Sequence, residues 1–303
     1  MKKKILILAG GISKERLISL DTGLQVAKEL KKNGYKVKIS EPDGNLSKDI
    51  NHFKPTIIFN ALHGQFGEDG YIQTLMDTLR IPYTHSDFNA SAIAMNKEIA
   101  KKIFLRNNII TPKYLIYNFK NKLIDITSIK KTLGFPVVIK PKNEGSSVNV
   151  FICNEKNFLK KMWSLKIYEE IIIEKFIGGR EIQVAIMGKK KLGTIELKPK
   201  RMFYDYKAKY EINSKTKHII PVNLEPSKLE EVENIALKAH KLLGCSGITR
   251  SDFKFYNNKF YLLEINTQPG MTKLSLVPEI AKYKKIEFLK LLEWMIKNAK
   301  YKI

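Results

Sequence analysis

The chain has 303 residues, 44% hydrophobic and 28% charged, enough to bury a sizeable core divided among two or three lobes. A net charge of +24 would suit nucleic acid, but the lysines are scattered along the whole length and the aromatics sit inside apolar runs, so no nucleic-acid partner is expected. Two cysteines, Cys153 and Cys245, exclude a disulfide framework and match no metal-ligand spacing.

The N-terminus "MKKKILILAGG" carries an apolar run, Ile5 to Ala9, that is too short for a signal peptide and reads as a first buried strand over 3–9. No apolar run approaches the ~20 residues of a membrane span, so the expectation is a soluble, cytoplasmic protein with no membrane partner. A helix over 21–33 follows, ended by Asn33-Gly34. Strands at 36–40 and 56–61 and a helix over 71–80 complete a small parallel sheet flanked by helices, residues 1–95. The helix over 96–108 opens a second lobe, 96–180. It continues with strands near 113–117, 136–140 and 147–152, a helix over 155–163 and a strand at 170–175. A third lobe, 181–303, begins with the strands "EIQVAIM" and "KLGTIEL". The polar, aperiodic stretch 200–217 reads as a loop, and helix 227–243 opens on a capping box of Ser227 and Glu230. Strands 247–256 and 259–265 and two closing helices end the chain. Apolar runs alternating with helix-period segments argue for an α/β architecture.

Residues 140–148, "KPKNEGSSV", follow the buried strand "FPVVIK", which delivers Lys140 at its end. Successive backbone N–H groups with little side-chain bulk at Gly145 and Ser146 would make an anion-binding concavity, with the lysine as a point charge for phosphate. An ordinary polar hairpin is the other reading, and this stretch alone does not decide. No P-loop pattern occurs. In "TRSDF" (249–253), Arg250 and Asp252 share a strand face, as do Glu264 and Asn266 in "LLEIN" (262–266). Oxygen ligands of this kind suit Mg²⁺ bridging phosphates. A polar face of an amphipathic hairpin is the alternative; the poor strand propensity of Asp, Glu and Asn favours metal.

That metal reading fixes a register. Opposite residues in an antiparallel pair share a face and have a constant number sum, so Asp252 must lie opposite Glu264 and Arg250 opposite Asn266. A simple two-residue turn at Asn257-Asn258 gives an odd sum and sends Glu264 to the far face. The spacing therefore requires a connection of about three or five residues around 257–259, or a bulge, with Asn258 a candidate for positive φ.

Two further loops stand at strand ends, where parallel sheets gather ligands. "ALHGQFGEDG" (61–70) places His63 where it could contact a substrate carboxylate, a purely structural histidine being the other reading, and "GGISKER" places Glu15 in the same way after the first strand; neither decides by itself. "NTQPGMT" (266–272) offers N–H groups to a developing oxyanion. In "IIIEKFIGGREI" (171–182), Glu174 and Glu181 flank a Gly-Gly turn, as ribose acceptors or as solvated hinge charges.

Taken in order, these segments resemble the D-alanine–D-alanine ligases of the ATP-grasp superfamily. The resemblance runs from "GGISKERLISLDTG" through "LHGQFGEDG", "MNK", "VVIKPKNEGSSV", "EKFIGGRE", "FYDYKAKY" and "GITRSDF" to "LLEINTQPGMTKLSLVP", nearly the whole chain. It implies an ATP-grasp fold preceded by a small parallel α/β domain, two D-alanines joined through a D-alanyl phosphate for peptidoglycan, ATP with two Mg²⁺ (or Mn²⁺), and a homodimer. Lys97, Lys140 and Lys209 are implied phosphate contacts. Glu174, Lys175, Ile177 and Glu181 are implied adenosine contacts. Asp252, Glu264 and Asn266 are implied metal ligands. The resemblance also implies that Glu15, Ser146 and Tyr210 hold the substrate loop closed. His63 then lies near the first D-alanine, Arg250 and Gly270 serve the oxyanion, and Ser275 and Leu276 hold the second carboxylate.

Three positions depart from the family pattern. Leu17 stands where an acid is usual, Asn149 where Gly is usual, and Lys207 where Glu is usual. Two other readings remain: a same-fold ligase making another dipeptide or a depsipeptide, of which Tyr210 argues against the depsipeptide form alone, and a non-catalytic ATP- or nucleic-acid-binding protein. The intact Lys97, Lys140, Arg250, Asp252, Glu264 and Asn266 argue against the second.

Overall fold

The computed structural model describes residues 3–120, 124–145, 149–199, 216–272 and 274–302. Strand β1 (Lys4–Leu8) lies between β2 (Lys36–Ser40) and β3 (Ile57–Asn60) in a parallel sheet. Residues Ile5 to Ala9 are fully buried because alternate side chains enter different layers. Ile5 and Ile7 meet Val26 and Leu30 of α1 (Arg16–Lys32). Leu6 and Leu8 meet Leu46 and Ile50 of α2 (Leu46–Phe53) and Met76 of α3 (Tyr71–Thr78). A strand covered on both faces reads as an unbroken apolar run, which is what "ILIL" shows.

Helix α1 starts at Arg16, earlier than the spacing predicts, because a polar residue serves its buried face. Ser19 is fully buried: its Oγ accepts from the Gly10 N–H at 2.7 Å and donates to the Ala61 carbonyl at 2.9 Å. The helix ends as predicted. Gly34 takes φ 81°, and the Tyr35 N–H reaches back to the Leu30 carbonyl at 3.1 Å. Helix α2 was not expected; it lies between the turn residues of "EPDGN" and Lys54.

Helices α4 (Phe88–Met95) and α5 (Lys97–Arg106) lead into an antiparallel sheet of order β4-β7-β5-β6. Its strands are β4 (Tyr114–Asn118), β5 (Val137–Pro141), β6 (Phe151–Cys153) and β7 (Glu170–Lys175). Helices α6 (Ile126–Leu133), unexpected like α2 and α4, and α7 (Phe158–Trp163) cover one face of it. On that face Val137, Ile139, Ile171 and Ile173 are buried in the core; Val138, Lys140 and Glu174 point the other way.

The third sheet is antiparallel with order β10-β9-β8-β11-β12. It comprises β8 (Arg180–Met187), β9 (Lys190–Lys198), β10 (Lys217–Ile219), β11 (Ile248–Tyr256) and β12 (Lys259–Asn266). Helix α8 (Pro226–Leu242) packs on it, with no side-chain capping bond at its start. The predicted Ser227–Glu230 box is displaced because Pro226 takes the first helical position and Glu225 the cap. Helices α9 (Leu276–Tyr283) and α10 (Phe288–Lys297) return to the first sheet, where Leu291, Leu292 and Met295 share a core with Ile5 and Val26. Among the described residues no helix is long and apolar enough to cross a membrane.

The β11–β12 hairpin has the register that the metal reading requires: Asp252 opposite Glu264 and Arg250 opposite Asn266. The longer connection is absent. Tyr256 pairs with Lys259 across Asn257 and Asn258, whose φ of 47° and 58° mark a two-residue I′-type turn. The parity is restored instead by a bulge between Asp252 and Phe253, which leaves Leu263 as the extra residue.

Candidate active site

Two cavities meet between the three sheets, sharing the wall formed by Lys97, Glu144 and Glu264. One lies between the second and third sheets and is lined by Lys140, Glu174, Lys175, Ile177, Glu181, Asp252 and Leu263 among others. The other lies toward the first sheet and is lined by Glu15, His63, Glu68, Arg250, Asn266, Gly270, Ser275 and Leu276 among others.

The first cavity interleaves lysines with carboxylates: Lys97, Lys140, Lys175 and Lys254 line it together with Glu144, Glu174, Glu181, Asp252 and Glu264. Helix α5 is capped by Asn96, whose side chain accepts from the Ile99 N–H at 3.1 Å. Its buried stripe is Lys97, Ala100, Lys101 and Phe104, so helical spacing sends two lysines inward beside two core residues. Glu174 sits between Lys101 and Lys140, with Nζ to carboxylate distances of 3.0 Å to each. Burial opposes its ionisation, yet Lys101 and Lys140 hold its carboxyl below the usual range. Burial also opposes charge on Lys140, but Glu174 and Glu264 outweigh it and raise its pKa. Lys97 donates to the Glu144 carbonyl and lies 3.7 Å from Glu264; burial dominates there and lowers its pKa. Across the cavity Glu181 pairs with Lys254 at 2.9 Å, the two being direct neighbours on β8 and β11. Glu174 and Glu181 are both buried, which removes the solvated-hinge reading of these carboxylates.

The second cavity joins loops from both ends of the chain. His63 follows β3 and is buried, with Nδ1 3.2 Å from Glu68 and Nε2 3.2 Å from the Thr22 hydroxyl. Burial pulls its pKa down, but Glu68 and Glu15 more than offset this, leaving it raised. Glu15 caps the N-terminus of α1, where the helix dipole favours a carboxylate. Gln268 ties the 266–272 loop to the first sheet: its side chain accepts from Asn60 Nδ2 at 2.6 Å and donates to the Leu62 carbonyl. Gly270 lies between Ser275 and His63. A Cβ there would meet Ser275 Oγ at 2.9 Å and the His63 ring at 3.8 Å.

Asp252, Glu264 and Asn266 are hard oxygen donors on one face of the hairpin, the chemistry Mg²⁺ or Mn²⁺ takes. Asp252 receives both Arg250 Nε at 2.7 Å and Arg250 Nη2 at 3.1 Å, and Asn266 Oδ1 accepts from the Gln268 N–H at 2.7 Å. Among the described residues no cluster of three or more His, Cys, Asp or Glu is placed to hold a metal. The donor set fits a metal whose remaining ligands come from phosphate oxygens and water.

Ser146, Lys209, Tyr210 and Lys207 lie outside the described residues, as does most of the 200–217 loop. Every other site residue singled out in the sequence lines one of the two cavities. Glu68, Lys101, Lys254 and Gln268 were not singled out. Lys101 had a usable signal, since it stands one helical turn after Lys97, and Glu68 lies only five residues from its partner His63; Lys254 and Gln268 depend on contacts far apart in the chain. Asn149 takes φ 56° and donates to the Tyr168 hydroxyl at 2.7 Å, so it occupies a left-handed position that Asn tolerates where Gly is usual. Leu17 is 75% exposed and faces away from both cavities.

Residues 108–297 match the family described as D-ala D-ala ligase C-terminus. A D-alanine–D-alanine ligase of Pelagibacter ubique is 68% identical over 300 residues, covering 99% of this chain and 99% of its own. That of Zymomonas mobilis is 44% identical over 312 residues, covering 98% and 94%. The crystal structure of the Bacillus anthracis D-alanine–D-alanine ligase superposes with a TM-score of 0.87 at 33% identity, over 98% of this chain and 97% of that one. The same enzyme complexed with ATP superposes at 0.85 and 30% identity, with the same coverage. The architecture is an ATP-grasp fold preceded by a small parallel α/β unit. From its first sheet to its closing helices, the chain belongs to the D-alanine–D-alanine ligase family.

Proposed function

We propose that this protein joins two D-alanines at the expense of ATP, making D-alanyl-D-alanine for peptidoglycan. The observation that carries this reading is the shared wall: a lysine-rich cavity meets a second cavity containing a buried His, an Arg and a glycine-held loop, with Lys97 and Glu264 at the junction. A phosphoryl group bound on one side would then face a carboxylate bound on the other.

A carboxylate does not react with an amine in water. Its oxygen first attacks the γ-phosphorus of ATP and ADP leaves, giving D-alanyl phosphate. The amine of the second D-alanine then attacks the acyl carbon, loses a proton, and the tetrahedral intermediate expels phosphate. Lys97 and Lys140, joined by Lys209, balance the triphosphate charge, and Glu174, Lys175, Ile177 and Glu181 surround the adenosine. Asp252, Glu264 and Asn266 would hold Mg²⁺ or Mn²⁺, which when bound neutralises phosphate oxygens. Glu15, with Ser146 and Tyr210, positions the first D-alanine near His63. Arg250 and the Gly270 N–H would serve the oxyanion. Ser275 and Leu276, at the start of α9, receive the second carboxylate, where helix N–H groups and dipole favour an anion. A cytoplasmic homodimer completes the reading.

The test is phosphate release from ATP with D-alanine, set against D-lactate, D-serine and L-alanine, with the product identified by mass spectrometry. D-alanine should be required and D-alanyl-D-alanine should form. Release that ignores D-alanine, or a depsipeptide as the main product with D-lactate, would displace it.

A further inference from the structure

The buried face of α5 carries a lysine for which the proposed reaction has no use. Lys101 is 1% exposed and lines neither cavity. Its ammonium lies 3.0 Å from Glu174 Oε1, donates to the Thr111 hydroxyl at 2.5 Å, and stands 5.8 Å over the Tyr114 ring. Glu174 is 2% exposed, and its other oxygen is 3.0 Å from Lys140, which does line the nucleotide cavity. The order from interior to cavity is therefore cation, carboxylate, cation.

Charge counting gives this order a purpose. A buried Lys140–Glu174 pair by itself has no net charge and offers a triphosphate little attraction. With Lys101 behind it, the trio carries one net positive charge to set against Glu264 and Asp252, which also act on Lys140, and the cavity-facing end of that charge is Lys140. We infer that Lys101 is a positioning residue: by partnering Glu174 from behind, it leaves the Lys140 ammonium available to nucleotide phosphate. The chemistry of the pair supports this. Burial lowers the Lys101 ammonium to about 8, with Glu174 limiting the fall, while the pKa of Lys140 is raised.

The inference rests on the nucleotide reading of the first cavity, and the test separates the two. ADP affinity is measured by calorimetry on the full-length protein, with the KM values for ATP and D-alanine. Lys101→Met should weaken ADP binding and raise the KM for ATP about tenfold or more, one unit of charge at a partly buried site. The KM for D-alanine should stay within about twofold. Lys101→Arg keeps a cation behind Glu174 and should hold ADP affinity within about threefold of wild type. Lys101→Gln takes the place of Lys101→Met if the latter is too unstable to purify, since it also removes the charge, and should weaken ADP binding about tenfold. ADP affinity unchanged in the neutral variant, or lost equally in Lys101→Arg, overturns the inference. So does an ATP KM unchanged in Lys101→Met, or one that rises only together with the KM for D-alanine. Wild-type protein that binds no ADP overturns the nucleotide reading itself.

Discussion

At the scale of single residues, the second cavity is governed by which side chains are charged. His63 keeps a raised pKa in a buried site because Glu68 lies 3.2 Å from Nδ1, with Glu15 adding to the effect. A folded-state pKa above the unfolded one contributes stability that is fully present below the unfolded pKa of about 6.5 and is lost as pH rises through the folded pKa. Glu68→Gln should reverse this: the imidazole midpoint, followed by NMR, falls below that of wild type, and the variant loses relative stability as pH drops through the ordinary His range. An unmoved midpoint would mean that Glu68 does not hold the proton. Gly270 is decided by space alone. Gly270→Ala should lower kcat about tenfold or more with little change in melting temperature, because a Cβ 2.9 Å from Ser275 Oγ must displace the hydroxyl that accepts from the Thr272 N–H and stands in the second cavity. His63, Gly270 and Lys140 were legible as residues at strand ends or in tight turns. Lys254 and Gln268 were not, because their importance comes from partners far away in the chain, Glu181 for the first and Asn60 and Leu62 for the second.

At the scale of elements, the β11–β12 hairpin shows how far spacing can be carried. The metal reading required Asp252 and Glu264 to be opposite, and parity then required a bulge or an odd connection to allow it. It could not choose between them, because turn length and bulge have the same effect on the number sum. The bulge also puts Leu263 against the nucleotide cavity, next to Glu264. Leu263→Ala should raise the KM for ATP about threefold to tenfold, by loss of apolar contact, while leaving the metal requirement unchanged. A shift in metal dependence instead would mean that the bulge, not the side chain, is what the substitution disturbed. Element ends were less legible. The start of α1 is hidden because buried Ser19 breaks the apolar period, and the α8 cap was misread because Pro226 fits the first helical position as well as Ser227 fits a cap. The short helices α2 and α6 lack a long enough period to stand out.

At the scale of the molecule, the closing helices fold back on the first sheet, so the loop carrying Gln268 and Gly270 is clamped from two sides. Asn60 and Leu62 hold one end through Gln268, and the core around Leu276 and Ile280 holds the other. That return was invisible in the sequence, which orders helices without saying which sheet they cover. Outside the site, the Phe66 and Tyr71 rings meet at 4.8 Å, tilted by 38°, and with Leu75 and Leu79 leave an apolar stripe exposed on and beside α3. Such a stripe suits the proposed homodimer. Sedimentation should find twice the mass of 34.9 kDa, and Tyr71→Lys with Leu75→Lys should shift it toward the single chain if the stripe is buried between copies. The central claim is that a carboxylate in one cavity takes a phosphoryl group from the other. The most direct measurement supplies D-alanine labelled with ¹⁸O in its carboxylate and reads the released phosphate by mass spectrometry. Attack by the carboxylate predicts that labelled oxygen leaves in the phosphate whenever D-alanyl-D-alanine forms. Unlabelled phosphate accompanying the dipeptide would contradict it.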